Sequence, residues 1–432
     1  MSAKTLFPLM LALPLAAQAA VNIQRWNTPE GTKILLVERH ENPIVDMEIS
    51  FKGAGSVSNP PGKSEVAEFT ASLLTDGTKR LDEEAFNAAA NDIAANIASE
   101  SGQESASVSM RSLSKPATLN AAVKLVNESL TQPRFDPAVF ARRQKQSITA
   151  LQQQQTNPGY IANRTLTRLN YPQHPYGSGA WVSEERIRKV TLADIRSFHK
   201  SRYGKSNAVV AIVGAVSRKQ AERLAAAALK NLPVKAPAGT VAPVPANQPR
   251  RENVAFAGEQ AQIMLGMPLF KRKDPDYFAL FTGNYILGGG GFDSRLMKVL
   301  RDKHGYTYGA GSSLSPMSEA GPFTIGFATQ KANSQAALAA AEAVVKDFIA
   351  NGPTEEELKQ AKANITGGFP LRFDTNAKLL GYLSTIGVHN LPDNWLETYP
   401  KAVNALTAAD IKNAWQRRVK AENLNVVVVG AQ

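Results

Sequence analysis

A predicted helix near the start of the chain carries polar side chains at the spacing of a metal site. From Lys63 to Leu74 apolar residues recur at helical spacing, and Lys63 and Ser64 are predicted to open the helix. Glu68 and Ser72 are four residues apart and so share one face, as two ligands do on a zinc-binding helix. Neither residue is a histidine, so the spacing alone does not predict a zinc site.

The rest of the chain offers few residues for metal or covalent chemistry. The 432 residues include no cysteine, which excludes disulfides, thiolate ligands and a cysteine nucleophile, and no Gly-x-Ser-x-Gly motif of a serine hydrolase. No two histidines have ligand spacing within one helix, and only a long-range pair such as His40 with His199 stays possible. The five histidines are His40, His174, His199, His304 and His389.

A second group of candidates lies in the other half of the chain. Arg301 and Tyr308 would supply two strong hydrogen-bond donors. They follow a glycine run that lacks the Gly-Lys-Ser/Thr of a phosphate-binding loop, so it is predicted to be a flexible substrate-binding lid or a close-packed turn. The run consists of Gly288, Gly289, Gly290 and Gly291.

The elements that hold these residues occur twice. The segment 191–215 aligns without a gap on 407–431, and in each segment a capped helix leads to an apolar strand that ends at glycine. The chain is therefore predicted to be an internal duplication. The shared residues are Thr191/Thr407, Asp194/Asp410, Ile195/Ile411, Arg202/Arg418, Asn207/Asn423 and Gly214/Gly430.

Each half combines strands and helices in blocks, which is typical of an α+β domain with helices packed on one face of a sheet. In the first half, strands are predicted at 33–38, 45–51 and 105–113, and helices at 82–98, 117–131 and 136–155. In the second half, strands are predicted at 260–267, 308–315 and 321–329, and helices at 275–287, 293–302, 334–350 and 354–367.

The first residues indicate export. Residues 1–19 have one charge at Lys4, a short apolar run, and Ala17 and Ala19 at the −3 and −1 positions of a signal-peptide cleavage site. A cut after Ala19 predicts a periplasmic or secreted protein without membrane insertion. The predicted organisation is a signal peptide at 1–19, an N-terminal domain at 20–232, a proline-rich linker at 233–251 and a C-terminal domain at 252–432. The net charge of +12 comes from scattered basic residues, which does not favour nucleic-acid binding.

The chain resembles the M16 peptidases, the pitrilysin, insulinase and processing-peptidase group, especially its short bacterial members. The resemblance rests on residues 27–69, on the His-Pro-Tyr-Gly sequence at 174–177, on the strand at 211–216 and on the duplication. It implies two homologous α/β-roll domains of the metallohydrolase type in each chain. It also implies that two such chains close into a chamber in which peptides are cleaved at a zinc site.

The same resemblance implies that this chain lacks the zinc site. The family carries an inverted motif, H-x-x-E-H, in which two histidines bind zinc and the glutamate is the general base. By position, Glu68 and Ser72 replace the histidines and Ala71 replaces the base. The third ligand, a glutamate, would fall near Thr149, yet residues 137–183 contain no Asp or Glu. No metal is therefore expected in this chain.

Arg301 and Tyr308 match a pair that binds substrate and the developing oxyanion at the opposing zinc domain of active members. The resemblance thus implies a non-catalytic subunit. It would pair with a zinc-bearing H-x-x-E-H chain and supply the two donors in trans for peptide hydrolysis. Two alternatives stay open: a homodimer that binds peptides or serves as a scaffold, and an independent zinc peptidase with rearranged ligands.

Overall fold

The computed structural model describes residues 21–431, so the predicted signal peptide lies outside the described residues. Two mixed β-sheets organise the chain. The first has the order β1-β2-β6-β3-β5-β4, with strands Gln24–Asn27, Lys33–Glu38, Ile44–Lys52, Asn96–Ser101, Ser105–Leu113 and Ala208–Gly214 as β1 to β6. The second has the order β7-β11-β8-β10-β9, with strands Arg251–Val254, Gln260–Phe270, Ala310–Leu314, Gly321–Gln330 and Asn425–Val429 as β7 to β11.

The first half has eight α-helices and the second has seven, because the last helix of the first half, Arg218–Ala228, has no counterpart among the described residues of the second half. Those of the first half, α1 to α8, are Val66–Leu73, Glu83–Asp92, Pro116–Thr131, Pro137–Gln154, Pro158–Asn170, Glu184–Arg188, Leu192–Arg202 and Arg218–Ala228. Those of the second half, α9 to α15, are Tyr277–Asn284, Arg295–Met297, Ser334–Asn351, Glu355–Gly367, Asn376–His389, Trp395–Ala405 and Ala408–Arg418. Within residues 21–431, no helix combines the length and apolar character needed to cross a bilayer.

The two sheets are copies of one topology, which agrees with the predicted α+β fold of two homologous domains. From β2 onward their strand orders coincide, and the parallel pair β2/β6 corresponds to the parallel pair β7/β11. The helices before β6 and β11 begin with the same capping box. Thr191 and Asp194 form it in α7, and Thr407 and Asp410 form it in α15.

One predicted helix is wrong in its second part. The segment 82–98 contains α2, but the chain turns at Ala94, whose φ of 49° is left-handed, and then forms β4. Exposed and half-buried residues alternate along β4, which fits an edge strand and not a helix. Two helical predictions in the second half also change, because α9 and α10 each continue into a short π-helix, at Tyr285–Gly289 and Lys298–Lys303.

One helix of each half packs on the sheet of the other half, an arrangement that the sequence pattern did not predict. The helix α13 packs on β2, β3 and β6 of the first sheet, and its counterpart α5 packs on β8 and β11 of the second. The strands β6 and β11 are therefore covered on both faces, which explains why they are apolar at nearly every position. In the first half, the other helices pack on one face of the sheet, as predicted, and α13 from the second half covers the other face.

Polar contacts accompany the packing of α13. The hydroxyls of Ser384 on α13 and Ser50 on β3 both donate to the same oxygen of Glu48, at 2.5 and 2.8 Å. The Nζ of Lys33 donates to the carbonyl oxygen of Gly387 at 3.0 Å and to the side chain of Asn390. Lys33 thus adds a second donor to a carbonyl in the last turn of α13 that also accepts from the amide of Asn390, so a residue of the first half helps to end this helix of the second.

Two glycines of α13 should respond oppositely to substitution by alanine. A Cβ on Gly387 would lie 2.5 Å from Cγ1 of Val209 and 2.7 Å from Cδ1 of Leu35, whereas a Cβ on Gly381 would meet nothing within 4 Å. We expect Gly387→Ala to destabilise the fold by about 1–3 kcal/mol through overpacking. We expect Gly381→Ala to stabilise it by about 0.5–1 kcal/mol, because alanine favours the helix. Urea midpoints of both variants measure this, and equal shifts would contradict the close approach of α13 to the sheet.

The proline-rich segment between the halves is docked and is not a free tether. The amides of Lys205 and Ser206 donate to the carbonyl oxygens of Pro233 and Val234 at 2.9 and 3.0 Å. Nε2 of His174 is hydrogen-bonded to the carbonyl oxygen of Ala242 at 2.8 Å. Further on, the side chain of Asn247 is hydrogen-bonded to Asn423 and Asn425. The segment therefore carries native contacts along much of its length.

Cutting the chain between Pro237 and Pro245 should leave the two halves associated. The exchange of α5 and α13 buries helices across the boundary, and these contacts do not depend on the linker. A protease site inserted there, followed by size-exclusion chromatography, measures the association. As a control, the same cut in a Leu166→Asp variant should release or unfold the halves, because Leu166 of α5 is 1 % exposed. Two folded halves that elute separately from the cut wild-type chain would contradict the exchange.

Candidate functional site

The helix α1 begins later than its sequence suggests. It starts at Val66, and Glu65 before it has a left-handed φ of 68°. The predicted start at Lys63 and Ser64 is wrong, because the cap comes from a distant residue: the Asn59 side-chain oxygen accepts from the amide of Ala67 at 2.8 Å. A left-handed backbone at a glutamate is strained, and such strain is a feature of functional sites.

Glu68 lies on the wall of a cleft. The cleft measures about 730 Å³ and lies between α1, α4 and the short 3₁₀-helix Pro175–Trp181. Nδ2 of Asn59 is 3.4 Å from Glu68 Oε2, which is a long contact for a hydrogen bond. Burial raises the pKa of the Glu68 carboxyl, with a smaller contribution from the nearby charge of Glu65.

Ala71 and Ser72 do not add to this polar wall. Ala71 is 1 % exposed and packs in the core of the first half. Its carbonyl oxygen accepts from the hydroxyl of Ser99 on β4 at 2.6 Å. The hydroxyl of Ser72 donates to the carbonyl oxygen of Phe69 at 3.2 Å, so it is used within its own helix. The positions of the base and of the second histidine therefore hold structural side chains.

Ser147 of α4 lies next to the start of α1. Its hydroxyl is hydrogen-bonded to the carboxylate of Glu65, and it lines the same cleft. Thr149 is exposed and is not part of the cleft wall. Near the place expected for the third ligand, Ser147 therefore faces the cleft and Thr149 does not, because successive residues of a helix face different directions.

No metal site is formed by the described residues. Within residues 21–431, no group of three or more His, Cys, Asp or Glu side chains is arranged to hold a metal ion. His199 is committed to the fold: its Nε2 is hydrogen-bonded to the carbonyl oxygen of Leu130 at 2.9 Å and its ring packs on Phe135 and Tyr203. His40 is exposed beside Glu38. The proposed long-range pair of His40 and His199 therefore has no support.

Arg301 and Tyr308 both reach solvent on the second half. Arg301 lies in the π-helix Lys298–Lys303, and its guanidinium is 4.8 Å above the ring centre of Phe292. Tyr308 is 92 % exposed and Phe292 is 69 % exposed. Large exposed aromatic side chains next to an arginine are typical of surfaces that bind another molecule. The pair does not line the cleft beside Glu68 of the same chain.

The glycine run forms a packed helical turn, which fits the close-packed turn that was one of its two predicted forms. A Cβ on Gly288 would lie 2.6 Å from the amide nitrogen of Ser312, and one on Gly290 would lie 2.7 Å from the carbonyl oxygen of Tyr285. Gly289 is equally confined, and Gly291 has a φ of 66°. Glycine is needed here for close approach and for a left-handed backbone.

The His-Pro-Tyr-Gly sequence joins the two halves, a role that the sequence analysis missed. The buried hydroxyl of Tyr176 donates to Glu104 Oε1 at 2.7 Å and accepts from the amide of Glu319 at 3.0 Å. Glu104 in turn accepts from Ser318 at 3.0 Å. His174 holds the linker, as described above. The sequence signal for this joining role is the tyrosine of the motif, because a buried tyrosine hydroxyl requires hydrogen-bond partners.

Comparison with known proteins agrees with this geometry. The family described as "Insulinase (Peptidase family M16)" matches residues 33–180, and the family described as "Peptidase M16 inactive domain" matches residues 189–365. The non-peptidase homolog YmxG of Helicobacter pylori is 25% identical over 430 residues, which cover 99% of this chain and 98% of that protein.

Solved structures share the fold. A crystal structure of a peptidase M16 inactive domain from Pseudomonas fluorescens has a TM-score of 0.91 and 32% identity, covering 95% of this chain and 98% of that chain. The periplasmic protease PqqL of Escherichia coli has a TM-score of 0.78 at 16% identity, and this chain spans 49% of its length, so PqqL shows the fold alone. These matches show that the chain belongs to peptidase family M16.

Proposed function

We propose that this chain is a non-catalytic subunit of a zinc peptidase that works in the periplasm or outside the cell. It pairs with a second M16 chain that carries H-x-x-E-H and zinc, and it contributes Arg301 and Tyr308 to that partner's site. The observation that carries the proposal is the contrast between its two halves. The zinc-motif helix has lost its ligands and its base, while the donor pair of the second half is exposed and free to reach another chain.

The chemistry of the pair suits this role. Peptide hydrolysis builds negative charge on the carbonyl oxygen of the scissile bond, and hydrogen-bond donors aimed at that oxygen stabilise the transition state. A guanidinium and a phenol are both hydrogen-bond donors. The aromatic ring of Phe292 beneath Arg301 supports the guanidinium without using its N–H groups.

A homodimer that binds peptides without cleaving them is the second candidate. The cleft of about 730 Å³ beside Glu68 favours it, because the cleft is open although its catalytic side chains are absent. Affinity purification of the tagged chain from its native host separates the two candidates. A co-purified M16 chain with H-x-x-E-H and bound zinc supports the first, and a lone dimer supports the second.

The pure chain should bind no stoichiometric zinc and should cleave no peptide, because the ligand and base positions hold other residues. Metal analysis and a peptide assay with and without chelator measure this. Restoring the motif with Glu68→His, Ala71→Glu and Ser72→His should still give little activity. Adding Thr149→Glu should not help because Thr149 faces solvent, whereas Ser147→Glu should raise zinc affinity more. One zinc per wild-type chain with chelator-sensitive proteolysis would contradict the proposal.

A further inference from the structure

The two halves differ at one edge of their sheets. In the first half, α8 packs on α3 and β2, and its apolar residues Ala221 and Leu224 join the core of that half. In the second half, α11 and β7 take the places of α3 and β2, but the described residues include no counterpart of α8 or of β1. A cavity of about 450 Å³, which we call the α11 cavity, lies there between β7, β11 and the start of α11.

The side chains at this edge are polar in the second half. Arg251 and Asn253 of β7 stand at the positions that Ile34 and Leu36 hold in β2, as the pairing of each strand with its neighbour shows. Ile34 and Leu36 are buried in the core that includes α8. Arg251 and Asn253 line the α11 cavity. The same edge is therefore a packing surface in the first half and a polar wall in the second.

One polar side chain of the cavity is buried without a partner. Ser334, the first residue of α11, is 6 % exposed and lines the cavity. Its hydroxyl makes no hydrogen bond within residues 21–431. A buried hydroxyl without a partner is costly, and a ligand in the cavity would remove that cost.

The start of α11 favours an anion. The first amides of a helix have no partner within it, and the positive end of the helix dipole lies beside them. No side chain caps α11 at Asn333. Lys331 lines the same cavity, and no carboxylate oxygen of residues 21–431 lies within 4.0 Å of its Nζ. Backbone amides, a hydroxyl and an ammonium together are donors that hold a carboxylate.

The other charged residues of the cavity are already paired. Arg251 is bonded to the carboxylate of Glu342, and the carboxylate of Glu252 is bonded to Arg168. In the described part of the chain, Lys331 is therefore the only charged residue of the cavity wall without an ion-pair partner. One unpaired positive charge matches a carboxylate better than it matches a phosphate dianion.

The cavity also has an apolar part. Val426, Val428 and Leu338 line it together with the polar residues. The last residue of a peptide carries its carboxylate and its side chain on the same α-carbon, so it can fill a polar and an apolar part of one small cavity. Capture of a C-terminal carboxylate by backbone amides is a recurring form of peptide recognition.

We propose that the α11 cavity binds the C-terminal residue of a peptide. Lys331, the hydroxyl of Ser334 and the first amides of α11 hold the terminal carboxylate, and an apolar last side chain packs on the apolar part. The cavity is separate from the cleft of the first half, and neither Arg301 nor Tyr308 lines it. The inference therefore goes beyond the proposed function and does not depend on it.

The experiment uses the full chain without a partner and two fluorescein-labelled peptides. Both have the sequence Ala-Ser-Ala-Ser-Leu, one with a free terminal carboxylate and the other as an amide, which removes the charge. Fluorescence anisotropy at low salt should show that the free acid binds at least about tenfold more tightly. Lys331→Gln should remove most of this preference, and Ser334→Ala should weaken binding of the free acid by about fivefold.

Two control variants separate direct contact from general charge. Lys331→Arg should keep the preference, because it keeps the positive charge. Lys346→Gln, at an exposed position on the same helix, should keep it as well. A loss of preference in Lys346→Gln equal to that in Lys331→Gln would mean that only the net charge matters, and it would contradict the inference.

Equal affinity of the wild-type chain for the two peptides would overturn the inference, as would the absence of saturable binding up to about 1 mM. A preference that is unchanged in both Lys331→Gln and Ser334→Ala would overturn it too. Circular dichroism checks the fold of each variant. None of these results bears on Arg301 and Tyr308, because their role is measured as turnover in the complex with the partner.

Discussion

Replacing Tyr308 by phenylalanine should lower the peptide turnover of the complex with the zinc-bearing partner by about two orders of magnitude, the usual scale for one oxyanion donor. The change removes the phenol hydroxyl and keeps the ring. Because Tyr308 is 92 % exposed in the free chain, its hydroxyl supports no internal contact, and both folding and complex formation should survive. Steady-state kinetics should show the loss mainly in kcat, since the donor acts in the transition state.

Tyr306→Phe is the matched control for this substitution. Tyr306 lies two residues earlier, and its ring is stacked on the ring of His304 with the two ring centres 5.0 Å apart. The proposal gives the Tyr306 hydroxyl no role in the partner's site. Turnover of this variant should be close to wild type. If an intact complex with Tyr308→Phe kept wild-type turnover, Tyr308 would be structural. The homodimer that binds peptides would then be the favoured function.

Replacing Arg301 by alanine should lower kcat/KM by about two orders of magnitude as well, because a charge-assisted donor to a carbonyl oxygen is lost. In contrast to Tyr308, the loss should appear in both kcat and KM, since a guanidinium also holds the substrate in the ground state. In the free chain the substitution removes the contact of Arg301 with Phe292, which is itself exposed. Stability of the free chain should therefore change little.

Lys303→Ala controls for the loss of positive charge on the same π-helix. Lys303 is exposed, as Arg301 is, and carries the same charge. If long-range attraction of the substrate explained the effect of Arg301, both variants would lose activity to a similar extent. High salt would then remove the difference in activity between each variant and the wild type. A loss confined to Arg301→Ala and insensitive to salt supports direct contact.

Much of the fold follows from local sequence patterns. The matched segments 191–215 and 407–431 identify the duplication, because each encodes a capping box and a strand buried on both faces. The exchange of α5 and α13 does not follow from these patterns. Periodicity shows that a helix has an apolar face, but it does not show which sheet that face covers. The turn at Ala94 was missed for a similar reason, since a left-handed alanine is rare and has no sequence signal.

The candidate site was predicted in part. The family resemblance points to Glu68, Ala71, Ser72 and a position near Thr149, but which residue of α4 faces the cleft depends on the rotation of that helix about its axis. The contribution of Glu65 to the cleft wall could also not be predicted from the sequence. Glu65 precedes α1, lines the cleft and has a left-handed backbone. The sequence around Glu65 does not predict this backbone conformation.

The central claim is that this chain is catalytically silent alone and necessary in a complex. The most direct test mixes the purified chain with a purified M16 chain that carries H-x-x-E-H from the same organism, and measures hydrolysis of a peptide library at fixed zinc concentration. The proposal predicts that each chain alone is weak or inactive and that the mixture is active in a one-to-one ratio. Equal activity of the zinc-bearing chain with and without this chain would contradict it.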